Sequence, residues 1–364
     1  MSSITASKVK VHDNHTAFTG PSSRRGEGFP LYCQASKTDV AGCKEKSTAS
    51  SLNLEEQGGA VVGRFAPTPS GKLHLGNLFS FMVAYLVSRR ANGKVLMRIE
   101  DLDPARSKQA YIDSIFRCLD ALGFEWDNEH LYQSKRTEAY REAYEKLKKQ
   151  ELVYPCFCTR ADLHAANAPH YGEEVLYAGT CRALTYEERL KKAQVRNPAS
   201  RVIVPSKRFK FEDLFQGATS FNLTECSGDF VVRRSDGVYA YQLAVVVDDA
   251  SMDVTSVVRG FDLLTSTPRQ IFLQECLGYP TPHYGHVPLI LDTSGKRLAK
   301  RDKDTDIETL LFEKNVSPQR LLGELAYATG LSSERRSMTL DELTRQANLT
   351  ALKGKRSIKL SVDL

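Results

Sequence analysis

The chain has 364 residues, with 50 Lys and Arg against 44 Asp and Glu for a net charge of +6. That length allows one large or several ordinary domains with a sizeable core, and so mild a basic excess favours a polyanionic partner without requiring one. No apolar run approaches the roughly 18 residues of a membrane span, and eight scattered cysteines in so long a chain do not make a small disulfide scaffold.

Residues 1–59 read as a disordered tail, because "MSSITASKVKVHDNHTAFTGPSSRRGEGFP" is rich in Ser, Thr and Gly and lacks periodic apolar residues. No secretory core is visible, so we expect reduced or metal-bound thiols and a cytoplasmic protein. A basic start leaves an organelle-targeting peptide as the alternative, against which Asp39, Glu45, Glu55 and Glu56 count.

Order is expected from "GAVVGRF" (59–65), a short strand. The run "RFAPTPSGKLHLGN" (64–77) resists helix and sheet at its start. "LGNLFSFMVAYLVSRRANG" then carries Leu78, Met82, Tyr85 and Leu86 at helical spacing and stops at Asn92-Gly93. "KVLMRIEDLD" reads as a buried strand ending in acids, and "SKQAYIDSIFRCLDALGF" and "TEAYREAYEKLKKQ" as amphipathic helices. Strand, turn, helix, strand, helix is the order of an α/β protein with a parallel sheet and right-handed crossovers.

Residues 156 to about 228 interrupt that order with loop-rich sequence and half of the cysteines. Strand-like alternation resumes with "DFVVRR", "YAYQLAVVVDD" and "DVTSVVRG", followed by a helical "PRQIFLQECLG" and a strand-like "HVPLIL". After Lys303 come helical patterns, "DIETLLFEK" and "SPQRLLGELAYATG". The expected division is a tail (1–59), a main unit (60–303) with its insertion, and a short helical region (304–364).

Two loops suit phosphate. The turn before the first helix offers a helix N-terminus with His74 as a donor, and Gly71 and Gly76 permit close backbone approach. "SGKRLAKRD" (294–302) places Lys296, Arg297, Lys300 and Arg301 in a loop that also follows a strand, so it should open on the same sheet edge. The plainer reading is a Pro/Gly turn and a solvated basic face. In "YPCFCTR" and "YAGTC", Cys156, Cys158 and Cys181 with Tyr177 suit a four-coordinate Zn²⁺, with His164 or His170 as a more usual fourth ligand than tyrosine.

Taken together these runs resemble a known family. "HLGN" resembles the His-x-Gly-His-like first signature of class I aminoacyl-tRNA synthetases, and "RLAKR" the Lys-Met-Ser-Lys-Ser-like second one. "RFAPTPSG", "RIEDLDPAR", "YQLAVVVDDASMDVTSVVRG", "STPRQ" and "PLIL" resemble the glutamyl-tRNA synthetase group in wording and order, from about residue 60 to about 303. The resemblance implies a Rossmann-like parallel sheet with a zinc-containing insertion and a short helical C-terminal region.

It also implies roles. Arg64 and Arg259 would face substrate carboxylates and Glu100 the ammonium, with Phe65, Ala66, Pro67, Thr68 and Tyr241 completing a glutamate pocket. His74, Gly76, Asn77 and Lys300 would hold ATP with Mg²⁺, His74 and Lys300 acting catalytically from opposite sides of one crevice. The alternative for the charged residues is local ion pairing, Arg98 with Glu100 or Arg259 with Asp249. The sequence departs from the signatures at Asn77, Arg297 and Ala299.

Only 61 residues follow Lys303, too few for large anticodon-reading domains. The short outline and the cysteine insertion resemble the glutamyl-queuosine tRNA(Asp) synthetase branch. That branch implies attachment of L-glutamate to queuosine in tRNA(Asp), and we separately expect a monomer without membrane contact. The rival expectations are a shortened glutamyl-tRNA synthetase charging the tRNA 3′ end and a non-catalytic tRNA-binding paralogue.

Overall fold

Strand β1 (Val62–Phe65), helix α1 (Leu75–Arg90) and strand β2 (Lys94–Ile99) are followed by α2 (Gln109–Ala121) and the short β3 (Leu131–Tyr132). β1 pairs with β2 and β2 with β3, both in parallel, so α1 and α2 are crossover connections. The computed structural model describes residues 60–159, 161–162, 176–296 and 306–360. The expected tail, His164, His170 and the 297–305 part of the basic loop, Lys300 included, lie outside the described residues.

Leu78, Met82 and Leu86, spaced for one helical face, are buried as that spacing requires, and Phe79 and Val83 are buried beside them. α1 is thus enclosed by the sheet below and later helices above. The helix stops where Asn92 takes a φ of 49°, and Gly93 follows because an added Cβ would lie 2.2 Å from the Val61 carbonyl.

After α3 (Thr137–Lys149) come β4 (Val153–Cys156), α4 (Tyr186–Val195), β5 (Ala199–Val202), β6 (Arg208–Asp213), β7 (Gly217–Asn222) and β8 (Phe230–Arg233). β4, β5 and β8 form a small antiparallel sheet. The segment from 156 to 228 therefore holds more regular structure than its sequence suggests.

Next come α5 (Tyr241–Ser251), β9 (Ser256–Gly260), α6 (Thr267–Leu277), β10 (His283–Val287) and β11 (Leu289–Leu291). β9 and β10 join β6 and β7 in a four-stranded sheet of order β7-β6-β10-β9, parallel except for the β6-β7 hairpin. β9 runs beside β1, the Thr255 N–H donating to the Val62 carbonyl at 2.9 Å. Helices cover both faces, which is the α/β arrangement the sequence order implied.

One expectation fails. "YAYQLAVVVDD" is helix α5 rather than a strand. Leu243, Ala244, Val245, Val246 and Val247 are all buried, so the helix is enclosed on every side and shows no polar face, and a β-branched run of that kind cannot be told from a strand by periodicity.

The C-terminal helices α7 (Pro318–Thr329) and α8 (Leu340–Gln346) share one apolar core with α1, through Leu321, Leu325 and Leu343. The last described strand, β12 (Ser357–Lys359), pairs in parallel with β11 and was not foreseen from the sequence. Pro288 separates β10 from β11 where the sequence suggested one strand. No described helix is long and apolar enough to cross a membrane.

Candidate active site

A cavity of about 400 Å³ opens where β1, β2 and β9 end, beside β11. That is the edge at which an open parallel sheet receives ligands. One wall is the turn before α1. His74 is the N-cap residue: its Nδ1 accepts the Gly76 N–H at 3.1 Å, and its own N–H is accepted by Asn77 Oδ1 at 3.1 Å. This reciprocal box satisfies orphan donors of the first turn and fixes the imidazole. With Nδ1 accepting, a neutral ring carries its proton on Nε2. An added Cβ at Gly76 would lie 3.0 Å from that ring, so a side chain there would displace it.

Both flanks of the basic loop reach this wall. Leu289 and Ile290, before it, line the cavity. After it, Asp306 bridges to His74 and the Ile307 N–H donates to the Leu73 carbonyl at 3.0 Å. Lys72, which sequence reasoning passed over, also lines the cavity and lies 2.9 Å from Asp306 and 3.1 Å from Glu308. Its place in "SGKLHLG" beside two glycines was the available signal.

The inner part is charged. Arg64 on β1, Glu100 just past β2, Tyr241 at the start of α5 and Arg259 on β9 line the cavity with Ala66, Pro67 and Thr68. Phe65 does not. Successive strand residues face opposite ways, so while Arg64 faces the site, Phe65 is fully buried against Phe81, Tyr85 and Phe124.

Beneath the cavity floor runs a buried ion network. Arg98 is 3.2 Å from Glu100 and 2.5 Å from Asp249, and Asp249 lies 3.7 Å from Arg64. Burial opposes the Arg98 charge, but Asp249 and Glu100 outweigh it and hold the guanidinium above its ordinary range. Burial pushes the Glu100 carboxyl up, and Arg98 and Arg64 draw it only part of the way back. Burial, then the neighbouring Glu100, raises the Tyr241 phenol, which stays protonated. The local pair Arg98–Glu100 therefore exists, but Glu100 still faces the cavity. Asp249 is partnered by Arg64 and Arg98, while Arg259 is held by His286, Gln270 and Thr267.

Away from the cavity, the sulfurs of Cys156, Cys158 and Cys181 lie within 4.8 Å of one another, and Tyr177 Oη is 3.5 Å from Cys156 and 3.9 Å from Cys158. Burial alone would raise the Cys156 thiol, but Tyr177, the Cys158 backbone and Arg201 hold it below its ordinary value. Burial and the neighbouring Cys181 push Cys158 up to about 12. The Arg201 guanidinium stacks 3.8 Å over the Tyr177 ring and reaches Cys156 at 3.3 Å, so one fixed cation faces the sulfurs.

Residues 60–360 match the family described as tRNA synthetases class I (E and Q), catalytic domain. The chain is 45% identical over 295 residues to the glutamyl-Q tRNA(Asp) synthetase of Symbiobacterium thermophilum, covering 78% of this chain and 91% of the relative. It is 46% identical over 282 residues to the enzyme of the same name from Nitratidesulfovibrio vulgaris, covering 74% and 87%. Among solved structures it is similar to the glutamate-tRNA synthetase of Elizabethkingia anophelis (TM-score 0.71, 25% identity, 84% of this chain and 69% of that one). It is also similar to a glutamate tRNA ligase of Elizabethkingia meningosepticum in complex with its amino acid (TM-score 0.70, 26% identity, 83% and 67%). With the parallel sheet, the turn at the N-terminus of α1 and these matches together, the chain belongs to the glutamyl- and glutaminyl-type class I tRNA synthetases, ATP-using ligases, in their glutamyl-Q tRNA(Asp) synthetase branch.

Proposed function

We propose that this protein activates L-glutamate with ATP and transfers it to queuosine in the anticodon of tRNA(Asp). The observation that carries the reading is one cavity lined by two buried arginines and a buried glutamate, continuous with a helix N-terminus. Glutamate brings two carboxylates and one ammonium. Arg64 and Arg259 complement the former, and Glu100 with Tyr241 the latter. Glutamine would leave one guanidinium without its anion, a loss that favours the acid over the amide.

In the first step a glutamate carboxylate oxygen attacks the α-phosphorus of ATP and the bond to pyrophosphate breaks, leaving glutamyl-adenylate. This step needs alignment and charge neutralisation more than proton transfer. The α1 N-terminus with the Nε2–H of His74 would serve the phosphates from one side and Lys300 from the other, with Mg²⁺ arriving on the nucleotide. In the second step a queuosine hydroxyl attacks the acyl carbon, and an ester forms with release of AMP and a proton. A neighbouring cavity of about 300 Å³, which shares Thr68, Glu100 and Tyr241 with the first, would admit this acceptor.

The cysteine cluster fits a structural Zn²⁺. Tetrahedral zinc with bonds of about 2.3 Å separates its sulfurs by roughly 3.8 Å, and Cys158 and Cys181 are 3.6 Å apart. Three thiolates on Zn²⁺ carry one net negative charge, which Arg201 balances. We assign Cys156, Cys158, Cys181 and Tyr177 to this ion, with no part in the chemistry.

ATP–pyrophosphate exchange tests the activation step. Glutamate should support exchange, and glutamine should be poorer by about 100-fold or more. Equal exchange with both would overturn the assignment of the two arginines.

A further inference from the structure

Arg259 is held from behind. β9 and β10 pair with His286 directly beside Arg259, and the end of β6, which carries Asp213, pairs with β10 on its other side. The three side chains form a buried row across adjacent strands. Asp213 Oδ1 accepts the backbone N–H groups of Phe215 (3.0 Å), Gln216 (2.9 Å) and His286 (3.1 Å), while Oδ2 lies 2.5 Å from His286 Nδ1. Arg259 donates its Nε–H to His286 Nε2 at 3.0 Å.

A guanidinium can only donate, so His286 Nε2 must accept, and the ring proton must sit on Nδ1, given to Asp213. The contacts admit one tautomer of a neutral imidazole. A second ring proton would oppose the Arg259 N–H. The titratable and charged groups facing the ring are Asp213 from β6, Arg259 and Asp262 from β9 and the turn after it, and Tyr284, stacked at 6.3 Å on its own strand, and the Thr267 hydroxyl on α6 lies 3.2 Å from Nε2, which it can serve as a second donor. Arg259 also donates to Gln270 Oε1 and Thr267 Oγ1 at 2.8 Å each. Three of its five N–H groups are thereby used, and two remain for a ligand.

We infer that Asp213 and His286 are positioning residues: a two-member relay whose fixed tautomer locks Arg259 with its remaining N–H groups available to the glutamate carboxylate. This rests on the reading of Arg259 as a carboxylate ligand. The relay acts on substrate binding and not on the phosphate chemistry at His74, so its loss should appear in KM for glutamate.

Asp213→Asn is isosteric and exchanges one acceptor for a donor. Its oxygen stays with the three backbone N–H groups, so its NH₂ faces His286 Nδ1. The ring must then accept at Nδ1 and carry its proton on Nε2, against Arg259. We expect KM for glutamate to rise about tenfold or more, with kcat and KM for ATP within about threefold. Nitrogen-15 NMR of labelled histidine should show the Nδ1–H form in the unaltered protein and the other tautomer in D213N. His286→Gln, whose amide oxygen can replace Nε2 as acceptor, should recover most of the KM lost in His286→Ala, a comparison that stands even if D213N folds poorly. An Nε2–H ring in the unaltered protein, or an unchanged KM in D213N beside an impaired Arg259→Ala, overturns the relay. A silent R259A overturns the role of Arg259 itself, and the relay with it.

Discussion

Arg98 and Glu100 stand two residues apart, on β2 and just beyond it, and their side chains meet at 3.2 Å beneath the substrate cavity. The pair is structural, and one of its members also lines the cavity. Arg98 is anchored on its other side by Asp249, so it presents Glu100 to the cavity in a fixed orientation.

Glu100→Gln should raise KM for glutamate about 10- to 100-fold, the scale of one hydrogen bond to a charged group, with little change in KM for ATP. Because burial holds the Glu100 carboxyl above its ordinary value, the unaltered enzyme should lose affinity on acidification earlier than a free glutamate side chain, titrating near about 4.3, would dictate. The pH dependence of KM, measured by pyrophosphate exchange, should vanish in E100Q.

The row behind Arg259 makes a second prediction, on stability. Burial holds His286 below its ordinary 6.5. Below that value the unfolded chain takes up a proton that the folded ring refuses, so stability is full above about 6.5 and declines beneath it. Asp213 acts in the same direction further down. Burial works against its charge, but His286 and the backbone N–H groups outweigh it and hold the carboxyl below 3.8, so its contribution fades as pH falls through that depressed value. Urea midpoints should fall steadily between about pH 6.5 and pH 5, and His286→Gln should flatten that part of the curve. A midpoint rising towards acid would contradict the neutral tautomer.

Metal content checks the cysteine cluster. The purified protein should carry about one Zn²⁺, and Cys158→Ser should lose it and lower the melting temperature by several degrees, roughly 2–4 °C per kcal/mol for a chain this long. Glutamate-dependent exchange should change far less than stability does. Loss of exchange in step with zinc, at temperatures where the variant is folded, would place the ion in the chemistry.

Two variants probe the phosphate wall. Gly76→Ala sets a Cβ 3.0 Å from the His74 ring and should slow adenylation by about tenfold while leaving KM for glutamate alone. Lys300→Ala should lower it by about 100-fold or more, the scale of one transition-state contact. Unchanged exchange in K300A would remove Lys300 from the mechanism.

The helix face of α1 and the succession of crossovers were legible in the sequence because their cause is local: period, cap and breaker. α5 was not, because a helix buried on every side presents no period to read. Arg64, Glu100 and Arg259 could be singled out through family wording, and the structure brings them to one cavity. Their supports were invisible. Asp213 and His286 are 73 residues apart and only strand register makes them neighbours. Phe65 was misplaced because its neighbours in the sequence all line the site, whereas strand alternation turns its ring inward. Likewise β12 is a three-residue strand defined by its partner and not by its own composition.

The most direct measurement is transfer of labelled glutamate to tRNA(Asp) carrying queuosine, with and without its 3′-terminal adenosine. The proposed acceptor predicts equal labelling of both, lost when the tRNA lacks queuosine. Labelling that requires the terminal adenosine and ignores queuosine would contradict it and identify a short enzyme that charges the 3′ end.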